Sequence, residues 1–257
     1  MRGEAGGLAY ELERGAADEG GRPPLVLIHG AGGDGRFWPP ALRRLAWSAV
    51  YTLDLPGHGR SPGEPRASVA QYAQVVGHWM EALGLPAAVL AGHSMGGAIA
   101  MQIALAQPAR AAGLVLVGTG ARLRVHPDLL SMAGKAQSHA QAARWITRWS
   151  FAPEADETLL ELATRRLMEG DPAALKADFQ ACDAFDLMGR LGEIKVPALV
   201  LCGQEDKMTP PKYSRFLAEH LPQAELVIIP GAGHMVMLER PSQVAAAVQD
   251  FLARHCT

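Results

Sequence analysis

Short, continuously apolar runs recur along the chain, and each is closed by a glycine, proline or polar break. Leu25-Val26-Leu27-Ile28 ends at His29-Gly30, Ala49–Leu53 at Asp54, and Val89–Ala91 at Gly92. Leu114–Val117 ends at Gly118, Ala198–Cys202 at Gly203, and Leu226–Ile229 at Pro230. Apolar runs this short, with no alternation, predict strands buried on both faces, as in a parallel sheet. Leu8–Arg14 alternates weakly and predicts an edge strand. Helical patterns lie between the runs, near 68–84, 94–106, 211–221 and 241–254, and several open with Ser or Pro as helix starts do. Strands alternating with helices predict an α/β fold with helices on both faces of the sheet.

The rhythm breaks once. From Arg122 to Arg190 no strand run occurs, and the segment reads as short helices separated by Pro127, Pro153 and Pro172. An all-helical insertion between two strands belongs over their carboxyl ends, where open α/β sheets bind ligands. The expected organisation is a core from 1–121 and 191–257 with a helical cap at 122–190.

Composition narrows the classes of partner. The 257 residues carry 24 Lys plus Arg against 26 Asp plus Glu, a net charge of −2, without a dense basic run. No nucleic acid and no anionic membrane is expected as a main partner. The N-terminal segment lacks a signal-peptide core, and no apolar stretch is long enough to span a membrane, so the expected location is cytoplasmic. Three cysteines without close spacing predict free thiols rather than a disulfide framework. No metal-binding motif is present, and no metal or cofactor is expected.

The candidate chemistry begins at Gly92-His93-Ser94-Met95-Gly96-Gly97, a G-x-S-x-G sequence between a strand run and a helical run. A serine at a sharp strand-to-helix turn presents its hydroxyl clear of the sheet, and the flanking glycines let strand and helix approach. A serine nucleophile needs a base. Of nine histidines, His234 in Pro230-Gly231-Ala232-Gly233-His234 follows the last strand, at the sheet end where Ser94 also emerges. His93 is expected to point away from Ser94. The imidazole needs an anion, and Asp206, after the strand Ala198–Cys202, lies on that same face. Glu205 and Asp54 compete for the role, although the glycines and proline of Asp54–Ser61 predict a turn in which Asp54 accepts backbone amides. A developing oxyanion needs two donors. One is the Met95 N–H, and the other comes from the loop His29-Gly30-Ala31-Gly32-Gly33.

Taken together, these segments resemble the α/β-hydrolase superfamily over nearly the whole chain. The matching motifs are 29–33, Asp54–Ser61, Gly92–Gly97, Gly203–Asp206 with Thr209-Pro210, and Gly233-His234 followed by Glu239-Arg240-Pro241. The order Ser94, Asp206, His234 is that of the superfamily. The resemblance implies an eight-stranded, mostly parallel sheet with a helical cap, and the Ala31 N–H as second oxyanion donor, with Gly32 as the alternative. Ser94 separates the chain from dehalogenases and epoxide hydrolases that use an Asp nucleophile. Met235 after His234 differs from the Trp common in C–C hydrolases.

Trp145, Trp149, Phe151 and Phe179 in the cap, with Met208 and Met235 beside the acid and the base, are expected to line an apolar pocket. Met95, Met237 and Phe185 are further apolar residues near it. The function expected is a cofactor-free serine hydrolase acting on small to medium, largely apolar carboxylic esters through an acyl-enzyme. The same triad would serve a lactonase or a C–C bond hydrolase, and the same fold a slow-turnover ligand receptor.

Overall fold

The apolar runs assemble side by side into one eight-stranded sheet, in the order β1-β2-β4-β3-β5-β6-β7-β8. The computed structural model of the chain describes residues 1–15 and 21–256. The strands are β1 (Arg2–Ala5), β2 (Leu8–Arg14), β3 (Leu25–Ile28), β4 (Ala49–Leu53), β5 (Ala88–His93), β6 (Ala111–Val117), β7 (Ala198–Gly203) and β8 (Ala224–Ile229). From β4 to β8 all neighbours are parallel. Only the pairings of β1 with β2 and of β2 with β4 are antiparallel. Leu8–Arg14 is therefore not the edge strand its sequence suggests. Gly6 and Gly7, at φ 53° and 78°, turn the chain back so that β1 covers β2, the left-handed pair that a two-residue hairpin requires.

Ten α-helices surround the sheet. They are α1 (Pro40–Arg43), α2 (Val69–Ala82), α3 (Met95–Ala106), α4 (Pro127–Met132), α5 (Ala136–Ser150), α6 (Glu157–Glu169), α7 (Pro172–Asp183), α8 (Pro211–His220), α9 (Val236–Glu239) and α10 (Pro241–His255) among the described residues. Alternate residues of the central strands face opposite layers. Val26, Ile28, Leu90, Leu114 and Leu116 pack with Val76 and Trp79 of α2 and Ile99 of α3. Leu25, Leu27, Val89, Val115 and Leu199 pack with Leu42 of α1 and Val248 and Phe251 of α10. Two-sided burial is why these strands read as unbroken apolar runs. Trp79 is fully buried and meets the Tyr10 and Tyr51 rings edge-on at 5.8 and 5.3 Å. Truncating so large a buried ring costs about 3–5 kcal/mol.

The insertion between β6 and β7 is wholly helical, α4 to α7. Pro127 and Pro172 open α4 and α7, where the missing N–H costs nothing, and Asp156 and Asp171 cap α6 and α7. An antiparallel bridge between Arg122 and Asp186, with the Leu187 N–H donating to the Ala121 carbonyl at 2.7 Å, ties the two ends of the insertion together. Ala142, Ile146, Leu167 and Phe179 of its helices are buried in an apolar cluster continuous with that on the α1/α10 side of the sheet. Among the described residues no helix is long and apolar enough to cross a membrane.

Candidate active site

Ser94 sits between β5 and α3 with φ 52° and ψ −115°, and among the described residues it alone has positive φ without being glycine. This strained conformation is held from several sides. The Ser94 N–H donates to the Val117 carbonyl at 2.9 Å, and the Thr119 hydroxyl donates to the Ser94 carbonyl at 2.7 Å. Glycine is required on both flanks. A Cβ on Gly92 would lie 2.1 Å from the Gly96 carbonyl group, and one on Gly96 would lie 2.2 Å from the Ile28 oxygen.

Asp206 and His234 come together from neighbouring strand ends. Both are buried, and His234 Nδ1 lies 2.9 Å from Asp206 Oδ2. The carboxylate also accepts the backbone N–H groups of Met208 and Thr209 at 2.9 and 2.8 Å, and the Thr209 hydroxyl at 2.9 Å. With every other partner of the carboxylate donating, the bond to His234 assigns the proton to Nδ1 and leaves Nε2 as the basic nitrogen. Glu205 is held through its backbone N–H, which donates to the Ala232 carbonyl at 2.8 Å. Asp54 is committed elsewhere, accepting the Gly35 N–H at 2.9 Å and the Arg60 N–H at 3.0 Å. It organises the turn predicted for it.

The His234 loop is supported by Glu239 and His93, whose contacts no periodicity in the sequence reveals. Glu239 accepts the Gly233 N–H at 2.7 Å and the Ala152 N–H at 2.9 Å, clasping the loop to the end of α5. Burial raises the Glu239 pKa against these bonds. His93 does not point away from the site. Its ring stacks at a tilt against His234, with centroids 4.6 Å apart, and its Nε2–H donates to the His234 carbonyl at 3.1 Å. Burial, then the neighbouring His234, pushes the His93 pKa well below the usual histidine value, so His93 is neutral. Its position in the elbow concealed this, because a residue beside a sharp turn has no periodicity to follow.

The loop after β3 brings Ala31 to the same place. The Gly30 carbonyl accepts both the Gly33 N–H at 3.1 Å and the His29 Nδ1–H at 2.9 Å, while His29 Nε2 accepts the Leu55 N–H at 3.0 Å. The Gly32 N–H donates to Asp178 of α7 at 2.8 Å. That bond removes Gly32 as a free donor. The N–H groups of Ala31 and Met95 have no protein partner among the described residues.

Ser94, Ala31, Thr209 and His234 line one cavity of about 400 Å³. Trp149, Phe151, Phe179, Met208 and Met235 are on its wall, with Ile146, Leu129 and Leu167. Trp145 is not: it stands behind, edge-on to Trp149 at 5.8 Å and to His126 at 5.1 Å. Met95, Met237 and Phe185 are core residues rather than lining, because their backbone positions turn them into the packed layers beside the sheet. Arg124 and Lys207 are the charged groups on the cavity's rim, and no carboxylate joins them. Among the described residues no cluster of His, Cys, Asp or Glu is arranged to hold a metal ion.

Comparison with known proteins agrees with this architecture. Residues 25–247 match the profile described as the alpha/beta hydrolase family. A putative carbamate hydrolase RutD from Variovorax paradoxus is 32% identical over 96% of this chain and 96% of its own length. The dihydrolipoyllysine-residue acetyltransferase component of the acetoin cleaving system of Pseudomonas putida is 34% identical over 92% of this chain, which spans 65% of that longer protein. Among solved structures, a thermophilic esterase superposes with a TM-score of 0.82 at 35% identity, covering 99% of this chain and 97% of that one.

Proposed function

The chain belongs to the alpha/beta hydrolase family, and from that premise we propose that it is a serine esterase cleaving small to medium, largely apolar carboxylic esters. The observation that carries this reading is the 2.9 Å contact between His234 Nδ1 and Asp206, which leaves Nε2 basic beside the cavity that Ser94 lines. Ser94 Oγ attacks the ester carbonyl while His234 Nε2 takes its proton, and Asp206 stabilises the imidazolium that results. The carbonyl oxygen becomes an oxyanion held by the Ala31 and Met95 amides. Collapse expels the alcohol, which takes the proton from His234, and leaves Ser94 acylated. Water, deprotonated by the same imidazole, then releases the carboxylic acid. No cofactor enters these steps.

The apolar wall favours an uncharged acyl group, and a volume near 400 Å³ suits a small to medium ester. The similarity to a thermophilic esterase and to a putative carbamate hydrolase supports attack on an activated carbonyl. The test is turnover of p-nitrophenyl esters of increasing acyl length by the wild-type protein and Ser94→Ala. Wild type should cleave the shorter esters, and Ser94→Ala should lose at least ~10⁴ of kcat. Wild-type turnover by Ser94→Ala would overturn the assignment, and preference for lactones by a factor of ~100 would move it to a lactonase.

A further inference from the structure

Asp178 is an acid on the apolar side of a cap helix, and it is completely buried. An isolated buried carboxylate is very costly unless it is paired and fully hydrogen-bonded. Its bonds all lead out of the cap. Oδ1 accepts the Tyr72 hydroxyl of α2 at 2.6 Å, and Oδ2 accepts the Gly32 N–H at 2.8 Å and faces His58 Nε2 at 2.9 Å. The other nitrogen of His58 lies 3.0 Å from the Pro56 carbonyl. Both ring nitrogens therefore meet acceptors, the arrangement of an imidazolium. Asp178 and His58 form a buried ion pair, and one oxygen of that pair is shared with the loop beside Ser94.

The geometry matters for Ala31. In a trans peptide the C=O and N–H point to opposite sides. His29 and Gly33 hold the Gly30 carbonyl, which directs the Ala31 N–H the other way. The following peptide is fixed at its far end, among the described residues, by the bond from Gly32 to Asp178. Leu175, one turn earlier on α7, packs so closely that a Cβ on Gly32 would sit 2.7 Å from it, and Gly32 is held at φ 65°.

We propose that Asp178 is a positioning residue: from the cap it fixes the Gly32 amide, and so anchors the far side of Ala31, keeping the Ala31 amide where His29 and Gly33 direct it at the substrate oxygen. This rests on the esterase reading above. The cap then does more than enclose the substrate, because half of the oxyanion site is completed by a cap side chain. An asparagine substitutes poorly. A neutral His58 that keeps its Nδ1–H on the Pro56 carbonyl asks the shared atom to donate while Gly32 asks it to accept, and the other tautomer sets the Nδ1 lone pair against that carbonyl.

The test measures kcat and KM for a p-nitrophenyl ester, and affinity for phenylboronic acid, in Asp178→Asn, Tyr72→Phe and Ser94→Ala. Asp178→Asn should lower kcat by about 30-fold with KM within about threefold, since a misaimed oxyanion donor acts in the transition state. Boronate affinity should weaken alongside kcat, because its tetrahedral adduct uses the same donors. Tyr72→Phe removes a bond to the other oxygen, so it should lower Tm while kcat stays within about threefold. If Asp178→Asn does not fold, Asp178→Ala/His58→Leu removes both charges together and carries the same prediction. Unchanged kcat in a folded Asp178 variant, or an equal loss in Tyr72→Phe, would overturn the proposal. Should Ser94→Ala stay active, the esterase reading fails instead.

Discussion

The turn that carries Ser94 and the loop that carries Ala31 face the same cavity but are built by opposite means. At the turn, local sequence does almost everything. Gly92 and Gly96 permit the approach of strand and helix, the helix begins one residue after the serine, and the adjacent strand end supplies Val117 and Thr119. The loop 29–33 holds its Gly30 carbonyl locally, through His29 and Gly33, but its Gly32 amide is pinned by Asp178, 146 residues away. A locally built element is robust to changes elsewhere and intolerant of changes within. A remotely built one is the reverse.

Four experiments press on that contrast. The acid turn is also local, since Asp206 takes the amides two and three residues ahead of it. Asp206→Asn should cut kcat by about 10³–10⁴, some 4–5.5 kcal/mol of barrier, through loss of the imidazole's tautomer and counter-charge. Glu205→Gln, one residue away, should stay within about threefold in the same assay. If Glu205→Gln is the crippling change, the acid has been misplaced. Next in size is Gly96→Ala. Its new Cβ meets the Ile28 carbonyl at 2.2 Å, a backbone atom that cannot yield cheaply. Urea unfolding should show a loss of about 3 kcal/mol or no folded protein at all. A loss below about 1 kcal/mol would mean that the turn has slack the structure does not show.

How much of this was legible in the sequence follows the same division. The strands were readable because burial on both faces leaves continuous apolar runs, and the helical insertion because Pro127, Pro153 and Pro172 divide a segment with no strand run. Ser94, Asp206 and His234 were placed by their positions after strands, and the structure brings Asp206 and His234 into contact. The strand β1 escaped notice, because Arg2–Ala5 alternates too briefly to have a period and is specified by the glycine pair that follows. His93 and Asp178 act through tertiary partners, which no local pattern encodes, whereas Glu239 stands in the motif after His234 although that motif does not reveal its bonds. For Asp178 one trace existed: it occupies the apolar stripe of α7 with Leu175, Phe179 and Cys182, where an unpaired acid would be intolerable.

The remote side of the contrast is open to titration. Burial draws the His58 pKa down, but the Asp178 carboxylate outweighs it and leaves the value raised. A raised pKa means that the folded state binds the proton more tightly, so this stabilisation is complete below the ordinary histidine value of about 6.5. It is lost as pH rises through the elevated folded value. His58→Gln should therefore cost more unfolding free energy at pH 5.5 than at pH 9, as read by urea melts at ~0.1 M salt. An equal cost at both would show that His58 is not held as an imidazolium. The neighbouring His29 runs the other way, because burial and then His58 lower its pKa. By itself His29, like His93, contributes destabilisation as pH falls below about 6.5.

The smallest effects belong to the rim. Trp149 is 37% exposed where the cavity opens. Trp149→Ala should raise KM for the longer acyl esters by about threefold with little change in kcat, the mark of uniform binding. A kcat loss comparable with that of Asp206→Asn would place the ring at the reacting atoms instead.

The central claim is that Ser94 carries the acyl group. The direct measurement is to mix Asp206→Asn, in which hydrolysis of the intermediate is slowed, with a p-nitrophenyl ester, quench in acid, and locate the adduct by peptide mass spectrometry. The account predicts a mass gain of one acyl group on the peptide containing Ser94, forming with the burst of p-nitrophenol and absent from Ser94→Ala. Steady turnover with no acylated peptide, or an acyl group on any other side chain, would contradict it.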